Sequence, residues 1–175
     1  MTILDEIENE TWHILATIYT HQRLKEELAS SLTRFDLANR FVSLNALYEI
    51  LVMRIARLAD KTKGVRTVSM LVKRGSFQSA TGNVETAAKN FSELAKPVVK
   101  IRHEQIAHMK PGTLTSYNPV DIPSEVLRAA EALINLVDIA RGKPVSYLYK
   151  VGSMEPIVDL KASLAMGKMV AVKNK

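Results

Sequence analysis

Residues 37–58 read Leu37-Ala-Asn-Arg-Phe-Val-Ser-Leu-Asn-Ala-Leu-Tyr-Glu-Ile-Leu-Val-Met-Arg-Ile-Ala-Arg-Leu58. Within them Leu37, Phe41, Leu44, Tyr48, Leu51, Ile55 and Leu58 recur at alternating steps of four and three. That period keeps one apolar stripe on one side of an α-helix for about six turns. A stripe this long has to be covered by other elements, so it sets the architecture. The flanking segments repeat the theme. Upstream, Leu4, Ile7, Ile14, Leu15, Ile18, Leu24 and Leu28 form a broader amphipathic face. Downstream, Val84, Ala87, Phe91, Leu94, Val98 and Ile101 form a second stripe, with Pro97 inside it. A proline there removes a backbone donor and predicts a kink or a division of that helix. A third stripe, Val126, Ala130, Leu133, Val137 and Ala140, is opened by Pro123-Ser124 and stopped by Gly142 and Pro144. Thr67-Val-Ser-Met-Leu-Val-Lys73 predicts a short helix, Asp60 to Gly64 closes the second long helix, and Gly75 to Asn83 is a polar loop with Asn83 as the cap of the next one. Pro111-Gly112 ends that next helix, and residues 145–152 are ambiguous between states. The expected fold is all-α: an antiparallel bundle of four to five helices over residues 1–144, with residues 145–175 a basic C-terminal extension that packs on the bundle or trails from it.

The chain has 175 residues, enough for one domain with a sizeable core. Hydrophobic residues at 47% and charged residues at 24% exclude a disordered tail or a fibre. There are no cysteines, which excludes disulfides, thiolate nucleophiles and sulfur-ligated zinc. Lys and Arg number 24 against 18 Asp and Glu, a net charge of +6 that favours polyanionic partners such as RNA. The charge is uneven. The first ten residues carry −4, while the stretch from Arg141 onward has seven bases and two acids, a net +5. Lys61, Lys63, Arg66, Lys73 and Arg74 cluster with no acid between them. The acidic start does not fit a secretory signal, and no apolar run reaches membrane-spanning length. The expectation is a cytoplasmic protein without a membrane partner.

Four histidines are present, two of them in Lys100-Ile-Arg-His-Glu-Gln-Ile-Ala-His108. His103 to His108 is one residue too long for the H-E-x-x-H zinc pattern, and a five-residue step turns the two rings about 140° apart on an α-helix, so no metal site is expected. Arg102 and His108 suit different chemistry. Arginine offers a permanent multi-donor cation for a phosphate, and histidine a proton acceptor or donor near neutral pH. On one ideal α-helix a six-residue step leaves them about 120° apart, so a loosened last turn or a two-fold partner is needed to bring them together. The plainer reading continues the second stripe to His108 as a half-buried core histidine, with Arg102 beside it as a surface cation. Trp12 and Tyr19 could stack a base but suit packing better. Asp36, Glu49 and Asp60 form no acidic pair along their helix, Lys63-Gly64 lacks the spaced glycines of a P-loop, and no serine has a histidine at useful local spacing.

Long amphipathic helices followed by one ending in Arg102-His-Glu-Gln-Ile-Ala-His108 resemble the HEPN superfamily, whose signature is Arg, four to six residues, then His. Tyr48 to Asp60, the short helix at Thr67-Val-Ser-Met-Leu71 and the segment Ile101 to His108 are similar to its abortive-infection branch over roughly residues 1–140. The resemblance implies a two-fold homodimer with two Arg–His motifs in a shared cleft. It also implies a metal-independent endoribonuclease that serves as a toxin in antiviral defence, with a possible antitoxin protein as partner and no cofactor. Arg102 and His108 would then be catalytic and His103 and Glu104 supporting, although Asn or Asp is more usual at position 103 and Glu104 departs from the pattern. Lys61, Lys63, Arg66, Lys73, Arg74 and Lys110 are weaker RNA-binding candidates. Some members bind RNA, nucleotide or protein without cutting. A non-catalytic RNA- or nucleotide-binding helical module and a protein–protein adaptor are therefore the alternatives.

Overall fold

The computed structural model describes residues 1–30, 33–62, 66–107, 119–150, 152 and 156–172. Seven α-helices lie among them: α1 (Ile3–Glu26), α2 (Arg34–Leu58), α3 (Val68–Arg74), α4 (Thr81–Leu94), α5 (Lys96–Ile101), α6 (Ser124–Arg141) and α7 (Leu160–Met166). The two longest begin with the same device. Thr2 Oγ1 accepts the Asp5 amide at 3.1 Å while Asp5 accepts the Thr2 amide at 2.6 Å, and Thr33 and Asp36 repeat this reciprocal bond at the start of α2. Each box satisfies two backbone donors that a helix start leaves over.

Helix directions follow from pairs of distant residues. Glu10, early in α1, meets Arg54, late in α2, so the two run antiparallel. Arg141 at the end of α6 binds Asp5 and Glu8 at the start of α1, and Lys25 at the end of α1 binds Asp121 just before α6. α4 runs along α6, and α5 along α2. One contiguous core fills the space between them, built from Ile7, Ile14, Leu51, Ile55, Phe91 and Leu133 among others, each at most 1% exposed. Truncating a ring as buried as Phe91 to alanine is expected to cost about 3–5 kcal/mol.

Most of each expected stripe faces this core, but Leu37 and Phe41 at the start of α2 do not join it, and α2 is covered only in part. Leu44, Leu51 and Ile55 are fully buried, while Phe35 is 75% and Val42 69% exposed. Arg40 meets Glu27, just past the end of α1, so the first turns of α2 overhang their neighbour. Pro97 divides rather than kinks its helix: α4 stops at Leu94 and α5 restarts with the proline in its first turn, where the missing donor has no intrahelical partner to lose. Gly142, in the left-handed conformation at φ 66°, stops α6 as expected. Asn83 is not a cap. α4 begins two residues earlier, at Thr81, without any side-chain cap.

The all-α expectation needs a correction at the C-terminal end. Leu148–Tyr149, Ile157–Asp159 and Ala171–Val172 form a three-stranded antiparallel sheet, β1-β2-β3, with α7 between the last two strands. Strands of two or three residues are too short to show an alternation in sequence. They pair because the described residues on either side of them, Tyr147 and Leu160 among them, are anchored on α1 and α6. Tyr147 is buried with Val158 and Leu160 against Leu15, Ala16 and Ile134. The Trp12 indole donates to the Leu148 carbonyl at 2.8 Å and its ring stacks on Tyr149. Trp12 and Tyr19 are thus committed to packing, Tyr19 lying tilted on the same Tyr149 ring. Among the described residues no helix is long and apolar enough to cross a membrane.

Candidate functional site

Arg102 stands where α5 passes into a π-helical turn, Arg102–Ala107. In such a turn the hydrogen bonds close over five residues rather than four, a local widening frequent at functional sites. Ile101 and Ile106 hold the turn against the core, and the end of α2 packs beside it. Arg102 is half-buried, and its Nε is buried with no hydrogen-bond partner among the described residues. His103 is exposed and Glu104 half-buried on the same turn. His108 lies outside the described residues, as do Lys63, Lys110 and the expected helix end at Pro111-Gly112.

Asp60, just past α2, is a carboxylate that interacts electrostatically with Arg102. Its carboxylate accepts from the Thr62 hydroxyl at 2.7 Å and the Thr62 amide at 2.9 Å. Those two bonds, with a smaller contribution from the Arg102 charge, hold it below the ordinary carboxylate range. Asp60 therefore stays ionised and engaged with Thr62, and balances Arg102 through space. Lys61 is exposed beside it, and Arg57 is exposed on the last turn of α2.

The described basic candidates lie on different elements. Lys61 is exposed just past α2, and Arg66 pairs with Glu6 on α1. Lys73 and Arg74 occupy the last turn of α3, a full helix away from Arg66. Residues passed over in the sequence matter as much. Asp60 interacts with the Arg102 charge through space. Arg54, Arg57, Glu6 and Glu10 line, with Leu58 and Arg66, a cavity of about 550 Å³ between α1 and α2. The sequence signal for it is the pair of same-face spacings, four between the glutamates and three between the arginines.

Among the described residues no group of three or more His, Asp or Glu side chains could hold a metal ion. What the arrangement can do is bind and polarise an anion. A guanidinium with an unpartnered N–H, partly withdrawn from water, acts more strongly on a phosphate than an exposed one. No protein-family model matches the chain, no curated protein matches it, and no solved structure matches it.

Proposed function

We propose that the protein is a metal-independent endoribonuclease of the HEPN type, acting as a two-fold homodimer in the cytoplasm and serving as a toxin held in check by an antitoxin protein. The observation that carries this reading is Arg102: a cation on a π-helical turn, half-buried, with its Nε unpartnered and its nearby carboxylate already engaged by Thr62. In the proposed reaction Arg102 holds the non-bridging oxygens of a phosphodiester. His108 takes the proton of the 2′-hydroxyl, the 2′-oxygen attacks phosphorus, and the 5′-oxygen leaves with a proton returned by an imidazolium. The products are a 2′,3′-cyclic phosphate and a 5′-hydroxyl.

The uncovered face of α2 supports the dimer. Phe35, Val42 and Ile50 are 75%, 69% and 48% exposed and fall on one side of the helix, an apolar stripe of the kind that marks association. End-group analysis of RNA incubated with the purified protein in EDTA tests the mechanism. Cyclic-phosphate ends that disappear in His108→Ala support it, and a requirement for added metal contradicts it. The alternative of a non-catalytic RNA-binding module predicts intact RNA in every lane, with an affinity that falls steeply with salt.

A further inference from the structure

The cavity between α1 and α2 has a donor and acceptor pattern that the protein itself does not complete. Glu10 accepts from Arg54 Nη1 at 2.7 Å, and Glu6 Oε1 is paired with Arg66. Three groups are left over. Glu6 Oε2 is a buried acceptor without a partner, and Arg54 Nε is a buried donor without one. Arg57, exposed at the rim, has no ion-pair partner among the described residues. A buried polar atom without a partner is costly, and native structures place a water or a ligand there. Two such atoms of opposite character, on residues that line one cavity, match a ligand that carries both a donor and an acceptor. The excess of three arginines over two glutamates asks that it also be an anion. Ile7 and Leu58, both buried, supply an apolar wall. Arg66, with a side chain 64% exposed, pairs with Glu6, and a ligand reaching Glu6 would have to displace it.

We propose that this cavity is a guanine-nucleotide site. The Glu6 carboxylate accepts from guanine N1–H and N2–H, Arg54 Nε–H donates to O6, the base lies on Ile7 and Leu58, and Arg57 takes the phosphate. An ionised carboxylate only accepts, so it selects the base that shows it two adjacent donors. Guanine alone does so: adenine and cytosine place an acceptor beside the amino group, and uracil flanks its one N–H with two carbonyls. One helical turn separates Glu6 from the Glu10–Arg54 pair, about 6 Å, which suits the two edges of a purine. The volume of about 550 Å³ falls in the range of small-molecule sites. A free nucleotide and a guanosine within an RNA strand present the same groups. The inference does not depend on RNA cleavage, because its readout is binding alone.

The test is isothermal titration calorimetry of the full chain with GMP, AMP, CMP, UMP and guanosine, and with two single-stranded oligonucleotides differing by one guanosine in place of adenosine. GMP is expected to bind at least about tenfold more tightly than the other nucleotides, the discrimination of one well-made base contact. Guanosine is expected to bind more weakly than GMP. Glu6→Gln should erase the base preference, and Arg57→Gln, at an exposed position that leaves the fold intact, should reduce GMP to the affinity of guanosine. Preference for the guanosine-containing strand without GMP binding assigns the site to RNA, and GMP binding alone assigns it to the free nucleotide. Equal affinity for all four nucleotides overturns the proposal. So does no binding of any probe, or GMP binding that neither substitution alters.

Discussion

Two arginines at helix ends behave in opposite ways. Arg141, the last residue of α6, is consumed by its surroundings: Nε donates to Glu8 and Nη2 to Asp5, both at 2.6 Å. Those bonds tie the end of α6 to the start of α1. Arg102, at the end of α5, has a buried Nε without a partner, and Asp60 beside it is already held by Thr62. The first arginine spends its donors on the fold and the second keeps one in reserve. Charge alone does not separate them, and neither does helix position. The difference lies in whether carboxylates are placed to take the donors: it marks Arg141 as a structural cation and, on the proposed reading, leaves Arg102 for an anion.

The largest expected effect breaks the comparison at Arg102. Arg102→Ala should lower RNA cleavage by about 10²-fold or more, the usual cost of removing one donor to a developing oxyanion, while thermal unfolding stays near that of the wild type. Next comes the exposed stripe of α2. Val42→Glu should convert a dimer to a monomer in sedimentation velocity, with little change in far-ultraviolet circular dichroism, because a charge is then forced into an apolar interface. Arg141→Ala is expected to act on the fold alone, lowering the melting temperature by about 2–4 °C and leaving cleavage per folded molecule unchanged.

Smaller effects concern pH. The Arg141 hydrogen bond, with those of Thr2, holds the Asp5 carboxyl well below the usual carboxylate range. A depressed folded value means that the unfolded chain takes up the proton first. The contribution is complete above the ordinary carboxylate range and is lost as pH falls below it. In Arg141→Ala this acid-side loss should shrink in denaturant titrations at low pH. His21 follows the same sign in a higher window. Burial lowers its value, and its Nε2, 3.0 Å from the Val120 carbonyl, must carry the proton in the neutral ring, because the carbonyl only accepts. Stability should therefore decline as pH falls through the ordinary histidine range, and His21→Gln should flatten that decline.

The stripes of α2, α4–α5 and α6 were legible because each must face a core for several turns, and their period survives in the sequence. The division at Pro97 was legible for a local reason, a missing donor. The C-terminal sheet was not. Strands as short as Leu148–Tyr149 carry no period, and they are held by Trp12 on Leu148 and by Tyr147 against Leu15 and Ala16, contacts that span more than 130 positions of chain. At the candidate site the sequence pointed to Arg102 but missed Asp60, since nothing in its neighbourhood signals that α2 ends beside α5. Arg66 counted as a free base in the sequence, yet it pairs with Glu6 some 60 residues upstream. The cavity between α1 and α2 depends on the same kind of long-range meeting.

The central claim is that Arg102 serves chemistry and Arg141 serves the fold. RNA cleavage and thermal unfolding of the wild type, Arg102→Ala and Arg141→Ala, measured side by side in EDTA, test it most directly. The account predicts that Arg102→Ala loses cleavage and keeps its melting temperature, while Arg141→Ala keeps cleavage and melts lower. Cleavage by Arg102→Ala equal to that of the wild type, or a melting temperature that falls as far in Arg102→Ala as in Arg141→Ala, would contradict it.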